Sequence, residues 1–144
     1  MKLLDANILL YAYDSGSTHN RTCRQWLEDV LNEQETVAIS WQTILAFVRI
    51  ATNPRATRRP LTGSAACDIV DTWLVRPNVT TLAPGNHFWA LFRNQVDEAR
   101  ITGPLITDAA LAALAIECGA VLCSTDRDFR RFNDLRILDP LDDP

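Results

Sequence analysis

A chain of 144 residues, 47% hydrophobic and 22% charged, suits one compact domain that buries roughly 70% of its unfolded surface. Its net charge of −4 excludes a protein that collects nucleic acid by bulk charge alone. No apolar run approaches the ~18–20 residues that span a bilayer, and no signal peptide stands before the first apolar segment, so the expected compartment is the cytoplasm.

In chain order, KLLD over residues 2–5 reads as a short buried strand, with ANILLYAY as a helical turn directly behind it. Residues 19–32 place Cys23, Trp26, Leu27, Val30 and Leu31 at helical spacing. TVAIS is the next strand, and its Ser40 is an N-cap for the helix WQTILAFVRIAT, which Asn53-Pro54 stops. NPRATRRPLTG is a basic loop, followed by a helix in SAACDIVDTWLV and a strand in NVTTL. Residues 86–100 form a further helix. A loop through Gly103-Pro104 then leads to ITDAALAALAIECG, an alanine- and leucine-rich helix stopped by Gly119. AVLCS is a strand, DRDFRRF a short helix and LRIL a last strand; residues 139–144 read as a loose acidic tail. Short apolar strands alternating with helices specify α/β: a single three-layer α/β/α sandwich over residues 1–144 with a central parallel sheet.

In such a fold, ligands collect beyond the carboxyl ends of the strands. Asp5 ends the first strand, Asp126 follows AVLCS by two residues with Asp128 close behind, and Asp108 opens the buried face of its helix. Each acid has a structural explanation as well. Asp108, Asp126 and Asp128 suit helix N-termini, where carboxylates cap free N–H groups. Asp5 resists that explanation, because an unpaired carboxylate among leucines costs several kcal/mol. Converging carboxylates repel unless a cation sits among them, and oxygen-only ligands suit Mg2+ or Mn2+ rather than zinc. The four cysteines lack CxxC spacing and read as reduced structural thiols. There is no phosphate-binding glycine loop and no GxSxG elbow. A phosphorylated-aspartate enzyme would need a lysine at the site, and Lys2, the only lysine among 14 basic residues, stands at the wrong end of its strand.

The stretches LLDANILLY and ITDAALAALAIECGAVLCSTDRDFRRF resemble the opening and closing motifs of PIN-domain ribonucleases, in particular the VapC-type toxins of bacterial toxin–antitoxin pairs. The resemblance extends through WLEDVL and SWQTILAFVRIATNPR and covers nearly the whole chain. It implies metal-binding acids at Asp5, Asp108 and Asp126, with Asp128 as an extra acid and Asn7 and Thr125 as polar supports. It implies Mg2+-dependent hydrolysis of RNA, a VapB-like antitoxin and a homodimer. One departure stands out. The family usually carries a glutamate in a segment resembling LAELVR, and here LAFVRI puts Phe47 at that position. Phe47 cannot bind metal, so one ion is more secure than two, and an inactive RNA- or partner-binding domain is the alternative. Gln42, earlier in the same helix, is a candidate to turn a polar group to the site.

Arg127, Arg130 and Arg131 beside the acidic edge, and Arg55, Arg58 and Arg59 in the basic loop, are candidate RNA-phosphate contacts. Their other explanation is a solvated face with local ion pairs. His19 and His87 stand at helix starts and read as capping or surface groups. The four tryptophans fall on apolar helix faces, suited to core packing or a dimer surface rather than base stacking.

Overall fold

The computed structural model describes residues 1–142. Among these, the elements in order are β1 (Lys2–Leu4), α1 (Ala6–Tyr13), α2 (Asn20–Asn32), β2 (Val37–Ser40), α3 (Trp41–Ala51), α4 (Gly63–Leu74) and β3 (Val79–Leu82). They continue with α5 (Phe88–Ala99), α6 (Leu105–Cys118), β4 (Val121–Cys123), a 3-10 helix (Arg127–Arg131) and β5 (Ile137–Leu138). The strands form one parallel sheet in the order β3-β2-β1-β4-β5. Every predicted strand and helix is present.

The alternation of side chains along the short strands divides the core in two. Leu4, Val37, Ile39 and Cys123 face α1 to α4, whereas Leu3, Ala38 and Leu122 face α5 and α6. Because both faces are covered at the centre of the sheet, Leu3–Leu4, Val37–Ile39 and Val121–Cys123 are apolar without alternation, whereas the edge strand β3 carries Thr80 and Thr81. Local chemistry fixes the helix ends. Ser40 accepts the amide of Thr43 at 3.1 Å to cap α3. Gly119 ends α6 at φ 64°, a left-handed conformation that favours glycine. After β1 the chain builds outward through β2 and β3, then returns to lay β4 on the other side of β1. That reversal opens a crevice at the carboxyl ends of β1 and β4.

Two expectations need correction, on the tail and on the end of β1. The tail does not hang loose between 139 and 142: Pro140 is buried, Leu141 packs on the core, and Asp142 pairs with Arg130 at 2.8 Å. Residues 143 and 144 lie outside the described residues. The tryptophans, for which core and surface were both open, divide between them: Trp73 is buried and Trp26 half-buried, whereas Trp41 and Trp89 are 50% and 67% exposed. Finally, β1 stops at Leu4, and Asp5 is the N-cap of α1. The cysteines are all free; burial pushes the thiols of Cys23 and Cys123 up to about 11 and about 12, while Cys67 is exposed. Among the described residues no helix is long and apolar enough to cross a membrane.

Candidate metal centre

Register places the site. Leu4 of β1 pairs with Cys123 of β4, so the next residues, Asp5 and Ser124, emerge side by side. The Asp5 amide donates to the Cys123 carbonyl at 3.0 Å. Its two carboxylate oxygens are each engaged: Oδ1 accepts the Ala6 amide at 2.7 Å and Oδ2 accepts the Ser124 hydroxyl at 2.7 Å. These bonds compensate part of the cost of placing a carboxylate beside the leucine-rich core. Burial still pushes its pKa up, against the opposing effect of the two hydrogen bonds, and the Asp126 charge adds to the rise.

Ser124 is the hub that sequence reasoning missed. Its buried hydroxyl donates to Asp5 and accepts from Asn7 Nδ2 at 3.2 Å and from the Asp126 amide at 3.0 Å. Asn7 in turn accepts the Thr125 amide at 3.4 Å. Asn7 thus bonds to the segment that follows β4, to which Thr125 contributes a backbone N–H and Ser124 the side chain. A hydroxyl two residues ahead of Asp126, at the end of a strand beside β1, is the signal that could have found it.

Asp126 caps the 3-10 helix, its Oδ1 accepting the Asp128 amide at 2.8 Å. Asp108, in the first turn of α6, arrives from the other side of the crevice. One carboxylate oxygen from each of Asp108, Asp126 and Asp128 lies within 4.8 Å of the others. Burial and the charges of Asp126, Asp5 and Asp128 push Asp108 up to about 6, with Arg131 pulling the other way. A set of oxygen donors this close, with so little opposing positive charge, is chemically matched to a hard divalent cation.

The arginines separate by position. Arg131 pairs with Asp128 at 3.0 Å and Arg130 with Asp142, so both are engaged locally, while Arg127 is exposed and has no ion pair among the described residues. Arg55, Arg58 and Arg59 are exposed in their loop. None of the three lines the depression beside Asp5 and Asp108; Arg59 instead lines a separate cleft with Tyr13 and Phe47. His19 and His87 occupy the N-cap positions of α2 and α5 without a side-chain capping bond.

Phe47 is turned away from the carboxylates. It is fully buried and packs edge-on against Trp73 and Tyr13, with ring centroids 4.8 Å and 5.9 Å away. The side of α3 that borders the depression of about 560 Å³ beside Asp5 and Asp108 carries Gln42, Thr43, Leu45, Ala46 and Arg49. Gln42 Nε2 donates to the Thr107 carbonyl at 2.9 Å and ties α3 to the start of α6. The side chain to compare with the expected glutamate is thus Ala46, one residue earlier than the sequence motif suggested.

A parallel sheet with a carboxylate cluster at the β1/β4 crevice defines the class of protein, and comparison with known proteins gives the family. Residues 2–135 match the PIN domain, and the chain belongs to that family. Ribonuclease VapC37 of Mycobacterium tuberculosis is 37% identical over 136 residues, covering 94% of each chain. Ribonuclease VapC33 of the same species is 36% identical over 141 residues, covering 98% of this chain and 99% of its own. Among solved structures, VapBC2 from Rickettsia felis, bound to a DNA fragment from its promoter, aligns with a TM-score of 0.70 at 19% identity. It covers 96% of this chain and 97% of its own, a likeness of fold.

Proposed function

We propose that this chain is a metal-dependent endoribonuclease and the toxin of a toxin–antitoxin pair, acting in the cytoplasm. The observation that carries the reading is the convergence of Asp108, Asp126 and Asp128 to within 4.8 Å beside the hydrogen-bonded Asp5. Relatives named as VapC ribonucleases, matched over nearly the whole length, support the RNA substrate. In this reading Asp5, Asp108 and Asp126 hold Mg2+ or Mn2+, with Asp128 at the exposed rim. A bound divalent ion supplies neutralisation of phosphoryl charge and a water acidic enough to attack at neutral pH.

The residues of the chain itself do the positioning. Ser124 and the Ala6 amide fix both oxygens of Asp5, so its carboxylate does not reorganise when substrate arrives. The Asp128 amide does the same for Asp126. Asp108 takes up a proton as the pH falls through about 6, which removes one negative charge from the site and weakens cation binding there. Arg127, free of ion pairs among the described residues, is available to RNA phosphate at the same edge.

A VapB-like antitoxin as partner is supported by the fold's likeness to a VapBC complex. A homodimer is supported by Trp41 and Leu45, 50% and 65% exposed on one side of α3. The inactive-domain alternative rested on Phe47, whose side chain belongs to the core rather than the site.

The test is direct. Purified protein cleaves structured RNA in Mg2+ or Mn2+, and Asp5→Asn or Asp108→Asn lowers the rate by at least about 100-fold with folding intact. If wild type and both variants bind RNA equally and none cuts it, the nuclease reading fails.

A further inference from the structure

The carboxylate edge presents a polyanionic substrate with an electrostatic problem. Asp108, Asp126 and Asp128 converge there with Asp5 behind them, and Arg131, the arginine whose charge reaches Asp108, is already paired with Asp128, which leaves Arg127 as the unpaired arginine of the candidate set at that edge. Four basic side chains of the candidate set are remote or engaged elsewhere: Arg55, Arg58 and Arg59 do not line the depression, and Arg130 holds Asp142.

One basic residue that the sequence pattern did not single out lies on the wall of the depression itself. Arg49 of α3 borders the same space as Asp5, Asp108, Gln42 and Thr107. It is exposed, and among the described residues its guanidinium makes no ion pair or hydrogen bond. Gln42, Ala46 and Arg49 follow the i, i+4, i+7 spacing of one helix face. The step from Gln42 to Arg49 is about 10 Å along the helix axis. Gln42 is fixed beside the start of α6 by its bond to Thr107, so Arg49 stands away from the carboxylates along the groove.

We propose that Arg49 is a substrate-binding residue of the RNA reaction, its guanidinium taking a backbone phosphate beyond the scissile one, with α3 as the wall along which the strand lies. The inference rests on the nuclease reading given above. A planar, permanently charged fork suits a phosphate oxygen pair, and a position along the groove rather than within the acid cluster suits binding rather than chemistry. An arginine in the last turn of a helix also favours the helix dipole, a role that affects stability and not substrate.

The experiment compares wild type, Arg49→Gln and Arg49→Lys in Mg2+ on a single-stranded oligoribonucleotide and on a dinucleotide. For Arg49→Gln the expected result is a KM about tenfold higher on the oligonucleotide, kcat within about threefold of wild type, and no change on the dinucleotide. The slope of log affinity against log salt falls by about 0.7, the loss of one phosphate contact to a single strand. Arg49→Lys restores the salt slope and part of the KM. An unchanged KM and salt slope would overturn the assignment, as would a loss confined to melting temperature, to oligomeric state or to antitoxin affinity. Asp5→Asn run in parallel separates the two claims: if it still cleaves, the site reading fails whatever Arg49 does.

Discussion

At the scale of single residues, Asp108 records the tension in the site. Its carboxyl is raised from 3.8 to about 6, so the folded chain holds a proton that the unfolded chain releases. The sign follows. Between about pH 4 and 6 the folded state binds more protons, and its stability therefore falls as the pH rises through that window. At neutral pH the metal-free protein carries the full repulsion, tempered by solvent because Asp108 is only half-buried. Asp108→Asn should thus raise the melting temperature of metal-free protein at pH 7 by about 3 °C, roughly 1 kcal/mol for a chain of this size. It should also flatten the pH dependence between 4 and 7, and Mg2+ should stabilise wild type more than the variant. Thermal melts with and without Mg2+ across that range check all three. A variant less stable than wild type at pH 7 would show that the cluster is not repulsive.

At the scale of elements, α3 decides which side chains reach the site. The sequence motif pointed to Phe47, but one residue turns a helix by about 100°, and packing rather than spelling sets that phase. Phe47 completes the aromatic contact with Trp73 and Tyr13, leaving Ala46 beside Asp5. Two substitutions separate these positions. Phe47→Glu should unfold the domain or cost several kcal/mol, because it buries a charge without a partner. Ala46→Glu should fold and tighten Mg2+ by roughly tenfold, since each added carboxylate raises the ligand charge. Calorimetric titration of the two variants is the check. The same comparison says what was legible beforehand. Asp5, Asp108 and Asp126 were visible because each interrupts or opens an apolar run. Ser124 was hidden because a small hydroxyl after a strand has many ordinary uses. Which tryptophans are exposed was hidden too, since a large apolar residue on a helix suits core and interface alike.

At the scale of the whole molecule, the strand order brings the site together and leaves an apolar face uncovered. Trp41 and Leu45 on α3 are one turn apart and both exposed, an arrangement suited to contact with a second copy. Leu45→Asp should convert a dimer into a monomer in analytical ultracentrifugation without loss of secondary structure. A wild-type protein that sediments as a monomer at tens of micromolar would remove the dimer from the proposal. The parallel sandwich itself was legible because strand and helix signals alternate so regularly. The order of strands was not, since pairing between β1 and β4 is a choice that no local pattern records.

That pairing has a consequence in time. The hydroxyl that orients Asp5 lies 119 residues further along the chain, and Asp126 two residues beyond it. A nascent chain therefore carries Asp5 through nearly all of its synthesis without the partners that make it useful. Contacts this distant in sequence form late, after the loop between them has been ordered. The carboxylate set is therefore complete only once the last strands dock.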